Sequence, residues 1–259
     1  MPTAQVSQEK VGLKRLEGKV ALVTGGSRGI GAAIALKLAK EGAQVAISYQ
    51  KSKGPAEAVV ERINELGTHG LAVQANASSQ QESDALVEAV VKKFGRIDIL
   101  VNNAGVFEGA PVTEITLDHY ERVFDVNIKG VLANTVAALK VMPEGGRIIN
   151  ISSGVARMTF PGASVYSATK AALDTLTRVW AQELGQRKIT VNGVAPGTTE
   201  TDMYNAAVPA EAKAHMTERT ALGRVGTPDD IADAVLFLAS DEGRWVTGHT
   251  IACDGGISI

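Results

Sequence analysis

The chain has 259 residues, with 26 Lys and Arg against 28 Asp and Glu, a formal net charge of −2, and 45% hydrophobic residues. That balance excludes a disordered chain and removes the basic field expected of a nucleic-acid or anionic-membrane binder, so the partner implied is a small molecule. Cys253 is the sole cysteine, which excludes an intrachain disulfide and points to a cytoplasmic setting; His69, His119, His215 and His249 are scattered without metal-ligand spacing, so no metal is expected.

Residues 1–16 are polar and mixed in charge, without the apolar stretch of a secretory signal, and read as a flexible N-terminal arm. The rest, 17–259, contains no linker or repeat and reads as one dinucleotide-binding and catalytic domain. The β-branched run Lys19–Thr24 predicts a strand, and Ile30, Ile34 and Leu38, spaced four apart, predict a helix after it. The alternation continues with a strand near Val45–Ser48, a helix near Pro55–Leu66, a strand near Leu71–Gln74 and a helix near Gln80–Phe94. A strand at Ile97–Asn102 leads to one long helix near Asp118–Lys140, a strand at Arg147–Ile151 and a helix near Ser164–Leu184. Strands near Thr190–Val194 and Thr250–Ala252 bracket an irregular and helical stretch over Pro196–Ser240. Such alternation requires right-handed crossovers, so the expected class is α/β: a doubly wound, Rossmann-like parallel sheet with helices on both faces. Ligands of such sheets bind outside the carboxyl ends of the strands.

The chemistry-bearing motifs fall at those ends. Thr24-Gly25-Gly26-Ser27-Arg28-Gly29-Ile30-Gly31 follows the first strand and opens a helix, where small residues and free backbone N–H groups favour a phosphate. Asn102-Asn103-Ala104-Gly105 follows the fourth. Ser153 follows the fifth, and 13 residues later Tyr166 is separated from Lys170 by four positions, which puts both side chains on one helix face.

With Asn127 in DVNIKG, and Pro196-Gly197 followed by Thr201, these motifs over Leu16–Ile259 resemble the short-chain dehydrogenase/reductase family, including its 3-oxoacyl-carrier-protein reductases and polyhydroxynaphthalene-type reductases. The resemblance implies that Tyr166 is the proton donor, Lys170 lowers its pKa and binds the nicotinamide ribose, Ser153 positions the substrate oxygen, and Asn127 holds a water connecting the lysine to solvent. It further implies a cofactor site made of Gly25, Ser27, Arg28, Gly29, Ile30, Gly31, Tyr49, Lys51, Ser52, Asn76, Asn103, Ala104, Gly105, Tyr166, Lys170, Pro196, Gly197, Thr199 and Thr201.

NAD-preferring relatives commonly carry Asp where this chain has Tyr49, and NADP-preferring relatives carry a base such as Arg28. The expected cofactor is therefore NADPH/NADP, with NAD second. Asn76 departs from the Asp that often meets the adenine amino group, although an amide oxygen can still accept that bond. A substrate lid is expected over 198–224. Ser153, Val155, Phe160, Tyr166, Met203 and Tyr204, with Phe107, Met158, Ala206, Ala207, Val208 and Met216, suggest a pocket for an apolar or aromatic carbonyl compound.

The reading is a carbonyl reductase interconverting a ketone and a secondary alcohol. The alternatives are a non-catalytic NADP(H)-binding sensor or scaffold, and an enoyl reductase, whose Tyr and Lys usually lie more than one turn apart. Lys129, Arg178 and Arg187 are the candidate bases for an acyl-carrier partner. The resemblance also implies a homo-oligomer, tetramer or dimer.

Overall fold

The computed structural model describes residues 14–208 and 210–259. Strands β1 (Val20–Val23), β2 (Gln44–Tyr49), β3 (Gly70–Gln74), β4 (Ile99–Asn102), β5 (Arg147–Ile151), β6 (Thr190–Pro196) and β7 (Thr250–Cys253) form one parallel sheet in the order β3-β2-β1-β4-β5-β6-β7. Helices α1 (Gly29–Lys40), α2 (Lys53–Glu65) and α9 (Pro228–Ala239) cover one face; α3 (Gln80–Phe94), α5 (Gly130–Leu139) and α6 (Ser164–Leu184) cover the other.

Strand alternation divides the core between those layers. In β1, Ala21 and Val23 join Ile34, Leu38 and Val235, whereas Val20 and Leu22 join Leu86, Val90 and Ala137. Every residue of β1 is therefore apolar, because both faces are covered. The strand order reverses between β1 and β4, so the crevice beyond their carboxyl ends is left uncovered by a crossover.

Two expectations need correction. Over Asp118–Lys140 the chain forms α4 (Leu117–Phe124), a π-helical turn (Asp125–Lys129) and α5, not one uninterrupted α-helix. The cause lies in Asn127, whose Oδ1 accepts from the Val106 amide at 2.8 Å and whose Nδ2 donates to the Val106 carbonyl at 2.9 Å. Pulling that side chain onto a neighbouring backbone favours the wider turn. The other correction concerns the arm expected over 1–16. Residues 1–13 lie outside the described residues, but Leu16 is 1% exposed within the core, and its amide donates to the Glu41 carbonyl at 2.8 Å. Arg15 pairs with Glu41 at 2.8 Å. The packed body therefore extends at least to residue 14.

The stretch over 198–224 comprises α7 (Asp202–Ala207) and α8 (Ala210–Arg219), and Thr199 pairs with Gly226 at its base. Under the crevice runs a buried polar chain. Asn102 donates to Thr135 at 3.0 Å and to Asn150 at 2.9 Å; Asn150 donates to Thr177 at 2.9 Å. These contacts tie β4 and β5 to α5 and α6. Asn150 is fully buried, so Asn150→Ala removes two hydrogen bonds and strands their partners. Chemical denaturation is expected to show a loss of about 2–4 kcal/mol in stability; a loss below about 1 kcal/mol would contradict the assigned network.

Candidate active site

The glycine turn joins β1 to α1. Gly25 has φ +66°, and a Cβ there would lie 3.0 Å from the Ala104 Cα. A Cβ on Gly31 would come within 2.4 Å of the Gly25 carbonyl oxygen, so a side chain at either position would displace the turn. Its shape is reinforced by Thr24, whose hydroxyl accepts from the amides of Asn103 and Ala104, each at 3.0 Å, while Asn103 Nδ2 donates to the Thr24 and Gly25 carbonyls. Ser48 accepts from the Gly25 amide at 3.3 Å. Sequence reasoning missed the bracing by Thr24 and Ser48; the Thr beside the glycine run was the available signal.

Arg28 precedes α1 without capping it through its side chain, and the first turn of α1 contains no acid. That helix end therefore meets the requirements of a phosphate group: close backbone approach, uncapped amides and a favourable dipole. Arg28 is exposed, with Nη1 3.7 Å from Asp202 Oδ2 at the start of α7. Beside it, the Thr201 methyl lies 3.5 Å from an ideal Cβ on Gly29, so Thr201 borders the glycine turn. Thr201 also accepts from the Tyr204 amide at 3.2 Å, and Thr199 donates to the Gly197 carbonyl at 3.1 Å.

Tyr49 is packed in the core at the end of β2, next to exposed Lys51 and half-buried Ser52. Asn76 Oδ1 accepts from the Ser78 hydroxyl at 2.9 Å and from its amide at 3.2 Å. Pro196 ends β6 beside Cys253, and Gly197 donates to the Cys253 carbonyl at 3.2 Å.

Asn127, Ser153, Tyr166 and Lys170 come together from the π turn, the end of β5 and α6. Lys170 is 5% exposed, and its ammonium donates to the Ile151 carbonyl at 2.8 Å. It stands 5.5 Å from the centroid of the Tyr166 ring. Asn127 Nδ2 also reaches Thr169 Oγ1 at 3.2 Å, and an ideal Cβ on Gly105 would touch both Asn127 Oδ1 at 3.2 Å and Lys170 Nζ at 3.7 Å. The backbone of the Asn-Asn-Ala-Gly turn thus runs directly over the buried polar groups.

Burial pushes the Lys170 ammonium down to about 8, against the upward pull of Asp174. Burial likewise pushes the Tyr166 phenol up to about 12, opposed by a hydrogen bond with Ser153. Burial thus outweighs the groups that favour the phenolate, and the Lys170 ammonium is shared between the Ile151 carbonyl and the face of the Tyr166 ring. Phe107 packs edge-on to Tyr166 with centroids 5.1 Å apart.

A cavity of about 300 Å³ is lined by Phe107, Gly109, Met203 and Ala206. Of the other anticipated substrate residues, Val155 donates its amide to Ser153 Oγ at 3.4 Å, and Phe160 is 43% exposed; neither lines that cavity. Nor does Tyr204, whose buried hydroxyl has no hydrogen-bond partner among the described residues and whose ring lies beneath Lys213 Nζ at 5.3 Å.

A family model described as enoyl-(acyl carrier protein) reductase matches residues 25–258. An uncharacterized oxidoreductase of Methylorubrum extorquens is 52% identical over 247 residues, 95% of this chain and 100% of that protein. The 3-oxoacyl-[acyl-carrier-protein] reductase FabG of Staphylococcus epidermidis is 44% identical, covering 92% of this chain and 98% of that protein. A crystal structure of a short-chain dehydrogenase from Burkholderia cenocepacia in complex with NADP superposes with a TM-score of 0.91 at 45% identity, covering 95% and 100% of the two chains. Glycine turn, strand order and the convergence of Asn127, Ser153, Tyr166 and Lys170 agree with these matches: the chain belongs to the short-chain dehydrogenase/reductase family of oxidoreductases.

Proposed function

We propose that the protein is an NADPH-dependent carbonyl reductase, interconverting a ketone and a secondary alcohol. The observation that carries this reading is the partly buried Tyr166 phenol beside Ser153, with buried Lys170 one turn away on α6. The bound cofactor supplies hydride to the carbonyl carbon. Tyr166 supplies the proton to oxygen, and it is held neutral and ready to donate by desolvation. Ser153 donates to the same oxygen and keeps it near the phenol. Lys170, as a cation, stabilises the phenolate left after transfer and binds the ribose.

The glycine turn, Asn103, Ala104, Gly105 and Pro196-Gly197 would hold the cofactor, with Arg28 and Lys51 the cations available for the additional phosphate of NADPH. The NADP complex of the Burkholderia relative supports that preference. Residues 198–224 form the lid over a single catalytic domain, whose setting is the cytoplasm.

The description of the family model names enoyl reduction, whereas the Staphylococcus relative is named for reduction of a 3-oxo group. The separation of Tyr166 from Lys170 by four residues favours the carbonyl reaction. An acyl-carrier substrate has less support. Lys129 is paired with Asp125 at 3.3 Å, Arg178 donates to Thr175 at 3.0 Å, and Arg187 donates to the carbonyls of Leu139 and Met142. Those engagements leave no shared basic patch among these three residues. Phe107, Met203 and Ala206 instead favour a free apolar or aromatic ketone.

Exposed Leu117, Tyr120, Leu132, Val136 and Val179 on α4, α5 and α6 support a homo-oligomer through that face. Analytical ultracentrifugation should give two or four times the 27.0 kDa chain mass, and a lone monomer would refute it.

Initial-rate oxidation of NADPH and NADH against ketones, diketones, quinones and a 3-oxoacyl thioester tests the reading; ketone turnover favouring NADPH is expected, and turnover confined to an enoyl substrate would replace it. Tyr166→Phe should retain NADPH binding but reduce kcat by about 10²–10⁴. Near-normal turnover would remove Tyr166 as the acid. Arg28→Ala should weaken NADPH by roughly 10–100-fold, consistent with losing a charge-assisted phosphate contact, while sparing NADH. Equal weakening of both would dissociate Arg28 from cofactor choice.

A further inference from the structure

Lys170 is buried without a carboxylate in hydrogen-bond contact among the described residues; its nearest oxygen partner is the uncharged Ile151 carbonyl. One turn further along α6 stands Asp174, itself 7% exposed. Asp174 Oδ1 accepts from the Thr250 hydroxyl at 3.0 Å, and Oδ2 lies 4.0 Å from Arg157 Nη2. The same guanidinium nitrogen donates to the Thr250 carbonyl at 3.2 Å. Arg157 closes the short turn Gly154–Ala156 that begins at Ser153. Three elements therefore meet at one carboxylate: the helix that carries Tyr166 and Lys170, the edge strand β7, and the turn that carries Ser153.

An amide would accept the Thr250 hydrogen bond as well as a carboxylate does, without the desolvation cost of a charge. Arg157 only partly accounts for that charge, because it stops at 4.0 Å and its side chain is 54% exposed. Lys170 lies four positions back on the same helix, so its side chain shares a face with Asp174.

We propose that Asp174 is a positioning residue for carbonyl reduction: through Thr250 and Arg157 it fixes the turn bearing Ser153, and it serves as the buried countercharge of Lys170. This rests on the reductase reading above. The field of Asp174 pushes the Lys170 pKa upward against burial, in agreement with that role.

Other charges around α6 are engaged or remote. Tyr166 shares the helix, and Arg157 faces it from the Ser153 turn. Strand β6 carries no titratable side chain, and β7 carries only Cys253. In the π turn Asp125 and Lys129 pair with each other, and near α4 Arg122 pairs with Glu108 while His119 contacts the Glu108 carbonyl. Asp118, Tyr120 and Glu121 on α4, and Arg178 and Glu183 on α6, are solvent-exposed or partly so. Beyond α6, Arg187 is held by the Leu139 and Met142 carbonyls.

The sign of the pH effect follows. Lys170 acts as a cation and loses its proton as pH rises through its pKa, so it sets a high-pH limb. Asp174→Asn keeps the shape and the acceptor but removes the charge, so Lys170 deprotonates at lower pH. The high-pH limb of kcat/KM for NADPH-driven ketone reduction should move down by about one unit. Asp174→Glu should restore it, whereas Thr250→Val should raise KM and leave the limb in place. A folded Asp174→Asn protein with an unmoved limb overturns the proposal.

Should Asp174→Asn not fold, Arg157→Gln takes its place: loss of the tether and of a nearby cation should raise KM and move the limb upward, and no change in either overturns the proposal. If the wild-type protein reduces no carbonyl compound, the reductase reading fails alone. Binding of NADPH, followed by its fluorescence across pH, then decides on Asp174: the pH at which affinity falls moves down in Asp174→Asn, or the proposal is wrong.

Discussion

Burying the Lys170 ammonium costs several kcal/mol unless the surroundings compensate for the lost water. The side chain is 5% exposed, and burial pushes its pKa down to about 8 against the upward pull of Asp174. The elements around the site answer that cost in turn. The end of β5 offers the Ile151 carbonyl, α6 continues to Asp174, and the Asn-Asn-Ala-Gly turn covers the lysine, where a Cβ on Gly105 would lie 3.7 Å from Lys170 Nζ. The same desolvation that lowers Lys170 raises Tyr166, which suits the proton-donor role proposed for it.

Two chemistries share the crevice, and they are held by different means. The cofactor side is built from backbone: a glycine turn against which a Cβ would collide, braced by Thr24 and Asn103, leading into an uncapped helix. The cavity beside it is lined by side chains instead, with Phe107 from a loop and Met203 and Ala206 from α7. Backbone sites tolerate little variation because any added atom displaces a turn, whereas loop side chains can be exchanged without altering the sheet. Reaction type is for this reason better constrained than substrate.

Much of the architecture was legible because parallel strands buried on both faces read as apolar runs, and β1, β2 and β4 are so nearly throughout. The helices followed from their apolar spacing. The π turn was not legible: Asn127 lies in a segment of good helical period, and the wider turn depends on hydrogen bonds to Val106, 21 residues away in sequence. The same applies to Leu16, which looks like part of a polar arm until its contact with Glu41 and its place in the core are known.

The sequence by itself determined the alternation of strands and helices, the phosphate-favouring turn, and the sharing of one helix face by Tyr166 and Lys170, since all three arise from local spacing. Tertiary structure decided the rest. It turned Asn127 inward, left Val155 and Phe160 outside the cavity lined by Phe107 and Met203, engaged the Asn76 oxygen with Ser78, and joined Asp174 to Arg157 and Thr250. Those pairings bridge up to 93 positions, and burial governs their electrostatics. Neither the long-range neighbour nor the loss of water is written into the spacing of residues along the chain.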